Sequence, residues 1–235
     1  MLNQNQKGGY RFIGVAGAPY SNGAVADSGF DVVHARFERP LPLDAGLKAA
    51  AAHVKEAGRP VLAITGFEVR IPKPLSRSSW GGFNETYIAS LSALGLEVDG
   101  LRPAARTNVS PAEGGVAEPS IHAFTYTAPS HRDRTGFVLA GVAEEKPGDA
   151  GTMLDSIMRQ LSGRLDELGR SWDDATALQL YGLEDMQGLL VDRVLKRLRH
   201  GVVLGIHWYP SLPPIDDLSL EIDVRSAGTE LVLPV

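Results

Sequence analysis

Residues 56–69 read EAGRPVLAITGFEV, and residues 167–182 read ELGRSWDDATALQLYG. Both stretches leave an apolar-periodic segment through a glycine, Gly58 or Gly169, pass an arginine, and enter a run with strand character. A glycine there is a helix stop, because it adopts the left-handed backbone that closes a helix without steric cost. Upstream of Gly58, GLKAAAAHVKEAG (46–58) has helical composition, with Asp44 placed to cap it. Upstream of Gly169, the residues Leu154, Ile157, Met158, Leu161, Leu165 and Leu168 recur at the spacing of one helix face.

The repeat extends outward from these exits. FDVVHARFE (30–38), VLAITGFEVRI (61–71), AARTNVS (104–110) and SIHAFTYTA (120–128) have the β-branched and aromatic content of strands. FNETYIASLSALG (83–95) predicts a second helix ending at Gly95, and PKPLSRSSWGG before it reads as a loop. Further on come GFVLAGVAE (136–144), ATALQLYGL (175–183), VVLGIHWYP (202–210) and LSLEIDVRS (218–226) as strands, with EDMQGLLVDRVLKRLRH (184–200) as an amphipathic helix. The order β-α-β-α-β therefore occurs twice at an offset of about 100–113 residues, the mark of an internal duplication. The expectation is an α+β protein of two tandem modules, 1–129 and 130–235, each a mixed sheet with two helices on one face.

Composition bounds the function. The chain has 235 residues and net charge −5, with 43% hydrophobic and 22% charged residues, which is ordinary for a soluble globular protein. With no cysteine, disulfides, thiolate metal sites and a cysteine nucleophile are excluded. The polar start MLNQNQKGGY has no apolar signal core, and no window approaches a membrane span; the expectation is a cytoplasmic chain without a membrane partner. The basic run KRLRH (196–200) suits a helix C-terminus, and nothing asks for a nucleic-acid partner. The histidines at 34, 53, 122, 131, 200 and 207 show no metal-ligand spacing, so neither a metal nor another cofactor is expected.

RPAARTNVSP (102–111) sets Arg106 just ahead of a strand-like run. By itself it reads either as a solvated strand-edge arginine or as an anion receptor, since a guanidinium fork matches a carboxylate with two parallel hydrogen bonds. Three separated stretches bear on the choice. APYSNGAV (18–25), GFNETYIASL (82–91) and AARTNV (104–109) resemble, in the same order, the Pro-Tyr-Ser stretch, the start of the second helix and the arginine strand of the Rid (YjgF) family. LDELGRSWDD (165–174) resembles that family's first helix and its exit.

The resemblance implies a chorismate-mutase-like fold and homotrimers with sites in clefts between modules. It also implies hydrolysis of an imine or enamine to a ketone and ammonia. On that likeness Arg106 holds the substrate carboxylate and Tyr20 lines the cleft. Departures are equally specific. Asn108 stands where family members often carry cysteine. His34-Ala35 and Ala140-Gly141 stand where many carry Ser-Gly, and the second half has no arginine at the position matching Arg106, near Val203-Leu204. The expectation is a composite cleft, pairing the Arg106-bearing module with the one that keeps Gly141.

Other candidates carry two readings each. Glu221 and Asp223, at i and i+2 of one strand, lie on one face; the family often has a glutamate there beside the hydrolytic water, whereas a solvated polar face accounts for the pair equally well. His122, the first-half counterpart of Glu221, reads as an acid or base or as a satisfied strand histidine. Asn84 reads as a cleft contact or as part of a helix start, where Glu85 suits the dipole. Trp80 and Trp208-Tyr209 suit stacking or packing. Arg36 or Arg39 is the candidate for a second carboxylate. By the resemblance the substrate is an enamine or imine of a small carboxylate, with 2-aminomuconate or a substituted relative from aromatic-compound degradation favoured. The alternative is a non-catalytic small-carboxylate-binding protein of the same fold.

Overall fold

Strict alternation along the strands decides the layering. In the computed structural model, which describes residues 1–113, 115–133, 135–145, 149–198 and 204–235, the chain opens with strands β1 (Asn3–Asn5), β2 (Tyr10–Phe12) and β3 (Gly23–Ala26). Then follow β4 (Phe30–Pro42), helix α1 (Leu43–Glu56), β5 (Ile64–Arg70), α2 (Arg77–Ala93), β6 (Ala105–Pro111) and β7 (Ser120–Pro129). The second half gives β8 (Phe137–Glu145), α3 (Ala150–Leu168), β9 (Ala177–Gly182) and α4 (Gln187–Leu190). After these come β10 (His207–Tyr209), β11 (Ser211–Leu212), β12 (Leu218–Ser226) and β13 (Thr229–Leu233). The fold is α+β.

Two sheets result, ordered β1-β2-β3-β8-β12-β9-β10 and β11-β6-β5-β7-β4-β13. Between β7 and β8 the chain passes from one sheet to the other, but the two halves also exchange strands. The first three strands join the second-half sheet through β3 beside β8, and β13 runs parallel to β4 from Thr229↔Val33 to Leu233↔Phe37. Short stretches at 3–26 and 229–233 offer no periodicity long enough to assign them to a sheet, and hydrogen bonding to a distant partner places them.

Each sheet turns an apolar face to helices. Leu154, Ile157, Met158, Leu161, Leu165 and Leu168 of α3 pack on Leu178 and Leu180 of β9 and Leu220, Ile222 and Val224 of β12. Each such buried side chain contributes about 1.5–3 kcal/mol. Leu47 and Val54 of α1 with Tyr87 and Leu91 of α2 cover Val33, Phe67, Val69 and Phe124 of the other sheet. Gly58 and Gly169 both take left-handed backbone, φ 74° and 67°, so both helix stops act as their residues require.

The opposite faces of the two sheets meet each other. Glu221, Asp223 and Arg225, alternating with the apolar residues of β12, are all buried. Gln179 of β9 donates to Glu68 of β5 across the gap at 3.0 Å. A polar strand face that reads as solvated is here a buried polar layer, in which Gln179 bonds Glu68 and Asp223, and Tyr181 bonds Asp223.

Local differences from the sequence expectation have local causes. Leu43 is already helical, so Asp44 sits in the first turn and pairs with Lys48 at 2.6 Å instead of capping. The segment read as a loop before residue 83 is helix from Arg77, because the Ser76 side chain accepts the Ser79 N–H. The helix expected over 184–200 starts at Gln187 and passes through a π turn, Val191–Leu195, into Lys196–Leu198. Its KRLRH exit runs past Leu198 into residues outside those described, as do Val202 and Val203 of the strand expected there. Among the described residues no helix is long and apolar enough to cross a membrane.

Candidate active site

β6 carries Arg106 and Asn108 at i and i+2, on one face. The Arg106 guanidinium carbon lies 4.6 Å from the ring centre of Tyr87, 4.7 Å from Tyr20, 4.9 Å from Trp80 and 5.6 Å from Phe83. Three of these rings come from α2 at i, i+3 and i+7, and Trp80 and Phe83 stack at 5.3 Å. Ring faces are electron-rich and hold a desolvated cation where water would otherwise be required. Burial lowers the Arg106 pKa, opposed by Tyr87, Tyr20 and Glu221; guanidinium basicity is high enough to keep it charged.

The polar atoms here are incompletely satisfied. Arg106 Nη2 donates to Asn84 Oδ1 at 2.8 Å, whereas the buried Nη1 has no partner among the described residues. Nor do the Tyr87 hydroxyl or either side-chain polar atom of Asn108. A buried polar group left unpaired costs about 1–3 kcal/mol, and here several gather around one guanidinium.

Opposite stands Glu221 of β12. Burial, and next the negative charge of Asp223, push its carboxyl up to about 8; the Asn108 backbone N–H and the guanidinium of Arg106 oppose this without offsetting it. Gly141 of β8 is needed beside it, because a Cβ there would land on the Glu221 carboxylate. Tyr20, Trp80, Arg106, Asn108, Gly141 and Glu221 line one cavity of about 250 Å³, together with Arg164 of α3. A buried guanidinium therefore faces a carboxyl group pushed up to about 8, in a space the size of a small ligand.

The family model described as 2-aminomuconate deaminase CnbZ matches residues 2–159 and 152–231. The chain belongs to the CnbZ family. It is 34% identical over 245 residues to 2-amino-5-chloromuconate deaminase of Comamonas testosteroni, covering 96% of each chain. Among solved structures, it is similar to a YjgF/YER057c/UK114-family protein of Mycobacterium tuberculosis (14% identity, TM-score 0.27, 39% of this chain and 78% of that one). It is also similar to a cyanuric acid hydrolase (11% identity, TM-score 0.40, 87% of this chain and 69% of that one).

In this CnbZ-family chain, Arg106, Tyr20, Asn84, Asn108, Gly141 and Glu221 come together as a group. His122 and Arg36 do not join them. They line a second cavity of about 480 Å³ with His34, Glu68 and Glu230, because β7 and β4 lie two and three strands from β6 in the sheet. Burial, then the Arg70 charge, lower the His122 pKa to about 4. Arg39 is elsewhere again, donating to the Val235 carbonyl at 3.3 Å. Trp208 and Tyr209 also lie away from Arg106: Trp208 donates to the Gly182 carbonyl at 2.9 Å, and Tyr209 stacks on Tyr181.

Sequence reasoning missed the α2 ladder and Arg164. The ladder follows once α2 is started at Ser76, which brings Trp80, Phe83 and Tyr87 onto one face. Arg164 is flanked by the buried Leu161 and Leu165, and a cation at the margin of an apolar stripe is the signal that marks it.

Proposed function

We propose that this chain is a hydrolytic deaminase acting on the enamine of an unsaturated dicarboxylate of the 2-aminomuconate type. The observation that carries the reading is the unpartnered Nη1 of Arg106 facing the protonated Glu221 across one cavity. Family membership and the deaminase named at 34% identity support the same chemistry.

Arg106 receives the carboxylate next to the amine-bearing carbon, with Asn84 fixing the guanidinium and Tyr20, Asn108 and Trp80 lining the approach. Glu221, as the neutral acid, gives its proton to the enamine carbon β to nitrogen, and the C=C pair becomes C=N⁺. Water then adds to the iminium carbon while the Glu221 carboxylate takes its proton. In the carbinolamine, transfer of a proton to nitrogen and collapse of the hydroxyl to C=O expel ammonia. The sum is enamine plus water to oxo acid plus ammonia, and Glu221 ends as it began.

We further read the chain as two tandem Rid-type modules, 1–129 and 130–235, assembled as a homotrimer of about 75 kDa from three chains of 25.1 kDa. The separate helix-covered core of each half and the matched stops at Gly58 and Gly169 support the duplication. The test of function is ammonia release from 2-aminomuconate generated in situ. Stoichiometric ammonia and oxo acid are expected; a rate no faster than the uncatalysed one overturns the assignment. Light scattering that finds an active monomer removes the trimer.

A further inference from the structure

We infer that Arg164 forms a second carboxylate subsite, so that the cavity is built to hold a dianion by both ends. This rests on the deaminase reading above and adds to it the residue that selects the substrate class.

The position of Arg164 is fixed by the fold. It rises from α3 between Leu161 and Leu165, which anchor that helix on β9 and β12. Its Nη1 donates to the Ala140 carbonyl at 2.9 Å and lies 3.5 Å from the carbonyl of Asn22. Both acceptors are neutral. Among the described residues Arg164 makes no ion pair, and its Nη2 and Nε make no hydrogen bond.

The charge of the lining then decides the ligand. Arg106, Arg164 and Glu221 are its charged residue types, and Glu221 is held mostly neutral near pH 7. Two guanidinium groups thus share one cavity with a single carboxyl group of the protein, too few to balance both. Burial lowers the Arg164 pKa, and Tyr20 and Glu221 oppose that shift; the same two residues oppose the shift at Arg106, which places them beside both cations. The remaining wall includes Val142, Pro214, Ile215 and Leu218, apolar surface suited to a hydrocarbon spacer. Two guanidinium groups joined by an apolar wall suit a hydrocarbon chain with a carboxylate at each end. Arg36, the candidate from sequence, lies in the other cavity and leaves this role open.

A structural clamp, Arg164 pinning α3 to β8 through Ala140, makes a different forecast. The discriminating experiment is calorimetric binding of trans,trans-muconate and of sorbate, two six-carbon trans,trans-dienes that differ in having two carboxylates or one. Wild type is expected to bind muconate about 10- to 100-fold more tightly than sorbate, the worth of one charge-assisted contact. Arg164→Gln should weaken muconate by that factor and leave sorbate unchanged, whereas Arg106→Gln should weaken both. If Arg164→Gln does not fold, Arg164→Lys keeps the cation without its fork and should lose part of the preference for muconate alone. Equal binding of the two ligands by wild type, or equal weakening of both in the Arg164 variant, overturns the subsite. Ammonia release assayed on the same wild-type preparation separates the two readings. A muconate preference without ammonia release defeats the deaminase and leaves the subsite; ammonia release without the preference does the reverse.

Discussion

The Arg106 cavity and the His34 cavity both have polar walls and differ in how far the wall residues satisfy one another. Around the second cavity, His34 bonds both Glu68, at 3.0 Å, and Glu230; Glu68 also receives Arg70 at 3.2 Å and Gln179 at 3.0 Å. Tyr181 and Gln179 complete Asp223 at 3.1 and 3.2 Å. Around Arg106, by contrast, donors and acceptors are left over. Burial works against ionisation of Glu68, yet His34 and then Arg70 and Arg225 hold its carboxyl well below the usual range; at Glu221 burial and Asp223 outweigh the Asn108 N–H and the Arg106 charge, and the carboxyl is pushed up. Paired polar groups join the two sheets around the second cavity, and unpaired ones surround Arg106.

The strongest break of this comparison is Glu221→Gln. Loss of a general acid and base should lower kcat by about 10²–10⁴-fold while the fold persists. The pH profile carries a sign. Wild-type kcat/KM should fall as pH rises through about 8, where Glu221 loses the proton it must donate. Stability follows the same group, since a folded pKa above the ordinary 4.5 means its contribution is complete below pH 4.5 and lost as pH rises through about 8. Thermal midpoints between pH 6 and 9 should therefore decline more in wild type than in Glu221→Gln. Parallel curves would mean that the carboxyl is already ionised.

Next in size is Glu68→Ala, which strands the buried charges of His34, Arg70 and Arg225. A loss of about 3–5 kcal/mol in urea unfolding is expected, with little change in kcat of the protein that remains folded. Wild-type stability combined with lost turnover would make the second cavity the seat of chemistry. Arg106→Lys should then cost about 100-fold in kcat/KM on an intact fold, because an ammonium keeps charge but cannot grip a carboxylate at two points; a wild-type value would remove Arg106 from the site. The smallest effect is assigned to His122→Ala, with kcat within about twofold of wild type and a stability loss of about 1 kcal/mol. A large fall in kcat would place a catalytic histidine in the wrong cavity for the mechanism above.

Much of this molecule is written in local pattern. The helix stops at Gly58 and Gly169, the α3 stripe and the alternation of β12 depend on neighbours a few residues away, so the sequence alone determines them. The same is true of which residue types stand at 106, 108 and 221. Tertiary structure alone decided what those faces meet. A strand that alternates Leu220, Glu221, Ile222 and Asp223 reads the same whether water or a second sheet covers its polar side, and only the packing of β12 against the sheet of β5 and β6 buries Glu221 and raises its pKa. It likewise decided that His122 and Arg36 fall outside the Arg106 cavity while Arg164 falls within it. The reason is physical: cavity membership follows strand order and sheet pairing, and these are set by hydrogen bonds between segments more than a hundred residues apart, such as β13 beside β4.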